Sequence, residues 1–200
     1  MFPVLASVLL FIVILSYNIK KYDKVQDKEL QEFWEKENKA NFVRRKSLDN
    51  LPYIIIPENL LDENIPDDPK CQEALDMLLN LKDCRILNLT GISNTDLKLT
   101  YGTANISALT EYDQNYTFLA RALTTLGETY YKEGNINKAK EYLEFAISTK
   151  TDISSTYKIL GSIYKDDNNT AGIEKLKEVA GELHSAMAPA IIRYLSELNA

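Results

Sequence analysis

Cysteine and histidine, the side chains typical of zinc sites, are scarce in this chain, which has only Cys71, Cys84 and His184. The two cysteines are thirteen residues apart with no histidine nearby, so a zinc site lacks ligands. Two cysteines are also too few for a disulfide framework, and both are interpreted as buried free thiols. His184 falls at the end of a helical pattern, where a surface position is expected. No metal site and no cofactor are predicted.

Catalysis would need convergent groups that the sequence does not supply. Asp166 and Asp167 are adjacent in a predicted turn, where carboxylates cap or solvate the chain. A general acid or base would need a cleft that shifts its pKa. No nucleophile elbow and no Gly-rich phosphate loop occur in the sequence. The chain is therefore predicted to be noncatalytic and to have no small-molecule substrate.

The charge distribution separates a basic region from an acidic body. The net charge is −6, but residues 20–46 contain nine Lys and Arg against six Asp and Glu. The remaining charged residues, beyond position 46, are therefore predominantly acidic. Nonspecific nucleic-acid binding requires a basic surface that releases counterions from phosphate. No nucleic-acid partner is expected.

Residues 1–19 contain no charged side chain and are rich in Phe, Val, Leu and Ile. A helix of that length reaches about 28 Å, close to the hydrocarbon thickness of a bilayer. A cleaved signal peptide is the alternative, but the segment begins without Lys or Arg and has no small-residue cleavage motif. The positive flank begins at Lys20 and Lys21, directly after this segment. An uncleaved single-pass anchor with a cytoplasmic body is predicted.

Two segments connect this anchor to the body. Residues 20–50 form a charged juxtamembrane helix or stalk, unless Phe33 and Trp34 place it on lipid or on a partner. Residues 51–67 contain Pro52 and Pro57, which favour an extended linker. We expect its apolar residues to pack along the body, the alternative being a short linear motif.

The body is predicted to be entirely helical. Asp68 and Pro69 form a helix start signal, and apolar residues then recur at helical spacing. Leu126-Gly127-x-x-Tyr130 recurs as Leu160-Gly161-x-x-Tyr164, thirty-four residues later, and Ala146 recurs as Ala180. Glycine would let paired helices approach closely, while small Ala would let the next pair stack.

This pattern resembles the tetratricopeptide repeat (TPR) family, and is similar to single-span, membrane-anchored bacterial members. The resemblance implies an all-α fold of antiparallel helix pairs stacked as a short solenoid, with repeats and a C-terminal capping helix over 119–200. Lys177 departs from the pattern, because a large apolar residue is expected there. Two repeats bury little surface, so residues 68–118 are predicted to add repeat-like helices that complete the core.

Family resemblance also implies a partner-binding groove on the first helix of each pair. The function expected from it is that of a noncatalytic adaptor or scaffold that binds a protein or peptide partner near the membrane. A structural envelope subunit that self-associates is the alternative. Carried over by position, the groove residues are Arg121, Thr124, Glu128, Tyr131, Lys132, Ser155, Lys158, Ser162, Lys165 and Asp166.

Overall fold

The computed structural model describes residues 2–61 and 65–198, without the side chains of residues 2–9, 13 and 25. Within these residues the chain is all-helical and has no strand. Its α-helices are α1 (Phe2–Asn41), α2 (Pro69–Leu81), α3 (Asn94–Tyr101), α4 (Ile106–Lys132), α5 (Ile136–Ser148), α6 (Ser154–Asp166), α7 (Thr170–Gly181) and α8 (Ala188–Leu198). Short 3-10 turns occupy Glu58–Leu60 and Thr103–Asn105.

The chain divides into two compact units. The first comprises Met1–Ser47 and Ser93–Ile106, and the second comprises Leu48–Ile92 and Ser107–Ala200. This division differs from the predicted domains, because the predicted 68–118 unit is shared between the two. The predicted boundary at 118/119 also falls inside the continuous helix α4. No helix-breaking residue stands near that position, so α4 runs uninterrupted.

In the first unit, the C-terminal end of α1 packs against α3. Lys36 pairs with Asp96 at 2.7 Å, and Glu37 accepts hydrogen bonds from Thr95 at 2.7 Å and from Lys98. The predicted anchor (1–19) and the first part of the predicted stalk (20–50) are thus one helix ending at Asn41. A proline-free, glycine-free sequence from residue 4 to 41 accounts for this continuity.

The first part of the predicted anchor, Met1 with the side chains of residues 2–9, lies outside the described residues. In the part of the chain that the structure describes, no helix combines the length and the apolar character needed to cross a membrane.

In the second unit, the linker packs along the helices. The Ile54 amide donates a hydrogen bond to the Ile86 carbonyl at 2.9 Å, and Ile56 is buried in the core. Leu60 is also buried, and its carbonyl accepts a hydrogen bond from the Tyr142 hydroxyl at 3.2 Å. The apolar linker residues therefore contribute to the core, as expected, with the exception of the exposed Ile55.

Helices α4 and α5 form an antiparallel pair. Tyr130 stacks on Tyr142 with ring centroids 5.6 Å apart, and Gly127 lies directly opposite Leu143. A Cβ atom at position 127 would stand 2.6 Å from Leu143, so glycine is required for this approach. The residues of the Leu-Gly-x-x-Tyr pattern are thus used at the helix–helix contact.

Helices α6 and α7 form a second pair. In this pair Leu176 makes the apolar contact that the repeat pattern assigns to position 177, which is occupied by Lys177. Leu176 is buried at 3% exposure, whereas Lys177 is half-buried and pairs with Glu174 at 2.9 Å. The adjacent position thus supplies the apolar contact. Gly172 allows the close approach, since a Cβ atom there would lie 2.7 Å from the Tyr164 ring.

Candidate functional site

The face that would carry the predicted groove is built from α4, α6 and α8, which lie side by side in the second unit. Thr124 of α4 contacts Thr156 of α6, thirty-two residues later, through hydroxyls 2.8 Å apart. Gly161 of α6 faces Leu195 of α8, where a Cβ atom would approach Leu195 to 3.0 Å. Contacts thus recur between positions about one repeat length apart, and the small residue Gly161 permits the last one.

Thr124 is a correction to the predicted groove. Its side chain is only 6% exposed, and its hydroxyl donates to the Ala120 carbonyl at 2.8 Å while it bonds Thr156. Both threonine hydroxyls are satisfied inside the α4–α6 contact, so neither needs solvent. Thr124 joins the two helices and is not available to a partner.

Arg121 lines a cleft of about 300 Å³ between α2 and α4, together with Lys70, Glu73 and Met77. Asp68 caps α2 by accepting a hydrogen bond from the Lys70 amide at 2.9 Å, which holds this helix start beside α4. The predicted groove residue on α4 therefore faces a helix from the preceding segment, and its neighbours carry mixed charge.

Lys158 and Ser162 contact α8 through Tyr194. The Ser162 and Tyr194 hydroxyls are 3.2 Å apart, and the Lys158 ammonium lies 5.9 Å from the centre of the Tyr194 ring. Tyr194 also donates a hydrogen bond to the Lys158 carbonyl at 3.4 Å. These two predicted residues therefore lie at the seam between α6 and α8.

That seam contains a cleft of about 390 Å³. Its lining combines apolar side chains with two cationic ones and one carboxylate: Ser154, Tyr157, Lys158, Met187, Ala190, Ile191, Arg193, Tyr194 and Glu197. The sequence pattern pointed to Lys158 but missed Arg193 and Ser154. Arg193 is on α8, which the thirty-four-residue pattern does not cover, and only the packing of α8 on α6 brings it to the same cleft as Lys158.

The other predicted groove residues lie toward the remaining parts of α4 and α6. Glu128 and Tyr131 are half-buried on α4, and Tyr131 packs against the core. Ser155 is half-buried at the start of α6. The exposed members are Lys132, Lys165 and Asp166, which fall in the last turns of their helices. Lys158 and Ser162 thus both contact Tyr194, whereas Arg121 lines a different cleft.

A larger cavity, of about 550 Å³, lies at an edge of the second unit and includes His184. Its polar groups pair with one another: Lys150 with Glu182 at 2.8 Å, and Ser185 with Asp152 at 2.6 Å. These bonds connect the loop after α5 to the loop after α7. The cavity therefore lies between two loops that these bonds hold together. His184 is exposed there, as expected.

The two cysteines of the second unit differ in burial, and burial raises the pKa of a thiol and of a tyrosine in this unit. Both thiols are free; Cys71 is buried, and burial raises its pKa. Cys84 is exposed, which corrects the expectation of a buried thiol, because it lies in the turn after α2. Burial also raises the pKa of Tyr116 to about 12. Among the described residues, no three His, Cys, Asp or Glu side chains cluster as metal ligands.

Comparison with known proteins adds no relative to this picture. No family model, no curated protein and no solved structure matches the chain.

Proposed function

We propose that this chain is a noncatalytic, membrane-tethered adaptor in which TPR-like helix pairs bind a protein partner close to the bilayer. The observation that carries the proposal is the side-by-side arrangement of α4, α6 and α8, with contacts between positions about one repeat length apart. Such an arrangement presents a continuous helical face for a peptide or partner helix. Tethering would raise the effective concentration of that partner at the membrane.

Tethering is supported by α1 and its flanks. Residues 1–19 are uncharged, and Leu10, Phe11 and Leu15 expose between 47% and 64% of their surface. Apolar side chains exposed together on one helix need lipid or a partner to cover them. Lys20 and Lys21 follow directly, and under the positive-inside rule this flank supports a cytoplasmic body.

Orientation can be tested with the native thiols. Cys84 is exposed and Cys71 is buried, so a membrane-impermeant maleimide should modify one site. With a cytoplasmic body, Cys84 is labelled only after the cells are permeabilised, and the Cys84→Ser chain stays unlabelled. Labelling of Cys84 in intact cells would overturn the cytoplasmic assignment.

Partner binding can be tested by crosslinking from the full chain in its own cells, with a photoreactive residue at Lys158 and another at Lys140 for comparison. Lys158 lies on the proposed face, whereas Lys140 pairs with Asp167 at 3.1 Å on the α5 side. The adaptor proposal expects a distinct protein crosslinked from Lys158 and absent from Lys140. Crosslinks only to further copies of the chain would favour a self-associating envelope subunit instead.

A further inference from the structure

Helix α1 carries an apolar stripe that continues past the predicted anchor. The stripe consists of five exposed residues at spacings of three and four, and it is called the α1 stripe below: Ile19, Tyr22, Gln26, Leu30 and Phe33. At 3.6 residues per turn these positions fall within about 80° of one another. The four apolar or aromatic members expose between 49% and 73% of their surface. The stripe is therefore an uncovered face of α1.

The lysines of this region lie away from the α1 stripe. At 3.6 residues per turn they are placed about 120–160° around the helix from its centre: Lys20, Lys21, Lys24 and Lys28. Lys28 pairs with Glu32 at 3.6 Å on that outer side. Residues 20–34 are therefore apolar on one side of the helix only, whereas residues 1–19 are uncharged throughout.

Lipid does not reach the far end of the α1 stripe when residues 1–19 lie in the bilayer. A helix rises 1.5 Å per residue, so Leu30 and Phe33 lie about 17 and 21 Å beyond Ile19. The polar interface of a bilayer is only about 5–8 Å thick on each side. A helix tilt of about 40° shortens these heights to about 13 and 16 Å, still outside the interface. A protein surface is needed to cover these side chains.

The same face of α1 binds a helix at its C-terminal end. Glu37 and Ala40 continue the α1 stripe; Glu37 accepts a hydrogen bond from Thr95 of α3 at 2.7 Å, and Ala40 is fully buried. One turn earlier, Phe33 and Trp34 pack edge to face with ring centroids 5.4 Å apart and remain about half exposed. The uncovered stripe is thus continuous with an interface on which a helix already packs.

A second copy of α1 matches the geometry of the stripe. Two copies anchored in one bilayer are parallel and at the same height, so Leu30 and Phe33 of one copy face the same residues of the other. Gln26 lies midway along the stripe, and its amide can bond to its counterpart only when the helices are in register. A single polar residue in an apolar helix–helix contact fixes register in this way.

We infer that α1 pairs in parallel and in register with α1 of a second copy, through the α1 stripe just outside the membrane. This inference rests on the proposed tether, which supplies the alignment. It leaves α4, α6 and α8 available to a protein partner. A paired adaptor would present two binding faces together, and a partner with two sites would bind roughly 10²–10⁴-fold more tightly than to one copy.

The carboxylates beside the α1 stripe indicate what drives the pairing. Asp23 and Glu29 border the stripe on opposite sides, about 60° from its centre. Pairing brings these like charges together, so apolar contact and confinement in the membrane must drive it, and not ion pairs. Raising the NaCl concentration from about 0.05 to about 0.5 M should leave pairing unchanged or strengthen it. Loss of pairing at the higher salt would overturn the assignment.

Disulfide crosslinking of the full chain in isolated membranes tests the pairing. The chain carries Cys84→Ser, which leaves only the buried Cys71, and one new cysteine: Gln26→Cys or Leu30→Cys in the stripe, or Lys28→Cys opposite it. Symmetric pairing brings the Cα atoms of a stripe position within the about 7 Å that a disulfide requires. Mild oxidation should give a covalent dimer from both stripe positions and about 5-fold less from Lys28→Cys. Equal yields from all three, or no dimer from either stripe position, would refute the pairing.

Phe33→Gln tests the apolar contact, with Phe42→Gln as the matched control. Phe42 is 87% exposed and follows the end of α1, so the same change there removes a phenylalanine outside the stripe. In the Gln26→Cys chain, Phe33→Gln should lower the dimer yield about 3-fold, because the pair loses two apolar contacts. Phe42→Gln should leave the yield unchanged. Equal effects of the two substitutions would show that the stripe does not hold the pair.

A photoreactive residue at Leu30 identifies what covers the stripe. Capture of a second copy supports the inference, whereas capture of a different protein, or of lipid alone, would overturn it. Carbonate washing of the membranes separates the failure of the inference from that of the tether. A chain that stays in the membranes but gives no dimer keeps the tether and refutes the pairing, whereas a chain released by carbonate refutes the tether itself.

Discussion

Replacing Gly127 by alanine tests the contact on which the α4–α5 pair depends. The new Cβ atom would lie 2.6 Å from both Cγ and Cδ2 of Leu143. Carbon atoms in contact prefer about 3.5–4.0 Å, so the overlap is near 1 Å. Leu143 is fully buried and cannot swing into solvent.

Overpacking of this kind costs about 1–3 kcal/mol. Alanine is also favoured over glycine inside a helix by about 1 kcal/mol, which offsets part of that cost. Gly181→Ala is the matched control, since a Cβ atom there meets nothing within 4 Å in the final turn of α7. We expect Gly127→Ala to be less stable than Gly181→Ala by about 1–3 kcal/mol.

The assay is urea unfolding of the full chain in detergent, followed by far-ultraviolet circular dichroism. Leu143→Ala alone should cost about 2–5 kcal/mol, and less than that in the Gly127→Ala background, because the added methyl group occupies part of the cavity. If Gly127→Ala proves as stable as Gly181→Ala, the close approach of α4 and α5 is wrong.

Three further results are expected. Tyr142→Phe should lower the free energy of unfolding by about 1 kcal/mol, because a buried linker carbonyl loses its donor; an unchanged urea midpoint would contradict the contact. Gly102→Ala should speed amide exchange in α3, since residue 102 has φ +89° and its Cβ would lie 2.5 Å from the Arg44 carbonyl; unchanged exchange would argue against this turn. The Lys98 hydrogen bond lowers the pKa of Glu37, so the α1–α3 contact should weaken as the pH falls below 4.5, the ordinary glutamate value. The Lys36 hydrogen bond also lowers the pKa of Asp96, so Glu37→Gln should reduce this dependence and leave the part that Asp96 contributes; a Glu37→Gln chain with the full dependence would show that Glu37 does not contribute to it.

Much of the fold follows from patterns that act over a few residues. The thirty-four-residue spacing and the start signal at Asp68 and Pro69 predict helices of the second unit. In the structure, Gly134 lies in the turn between α4 and α5, and its φ of 78° shows why glycine follows the end of α4. All-helical architecture was predictable because helix periodicity and capping are local.

Division of the chain into units was not predictable in the same way. Residues 94–101 look like any other helix in sequence, yet they pack with α1 in the first unit. Their partners are Lys36 and Glu37, about sixty residues earlier, and no local pattern specifies that pairing. The continuity of α4 across the predicted boundary was missed because the repeat frame, which begins inside the helix, suggested an end where none exists.

The candidate site, like the fold, could be predicted from the sequence only in part. Periodicity and motif spacing reflect local geometry, so the helices and the residues that recur thirty-four positions apart could be predicted from the sequence. By contrast, the burial of Thr124 and the shared cleft of Lys158 and Arg193 follow from packing between distant parts of the chain. Which side chains share a cleft depends on how α8 docks on α6, and docking is set by contacts between residues far apart in the chain.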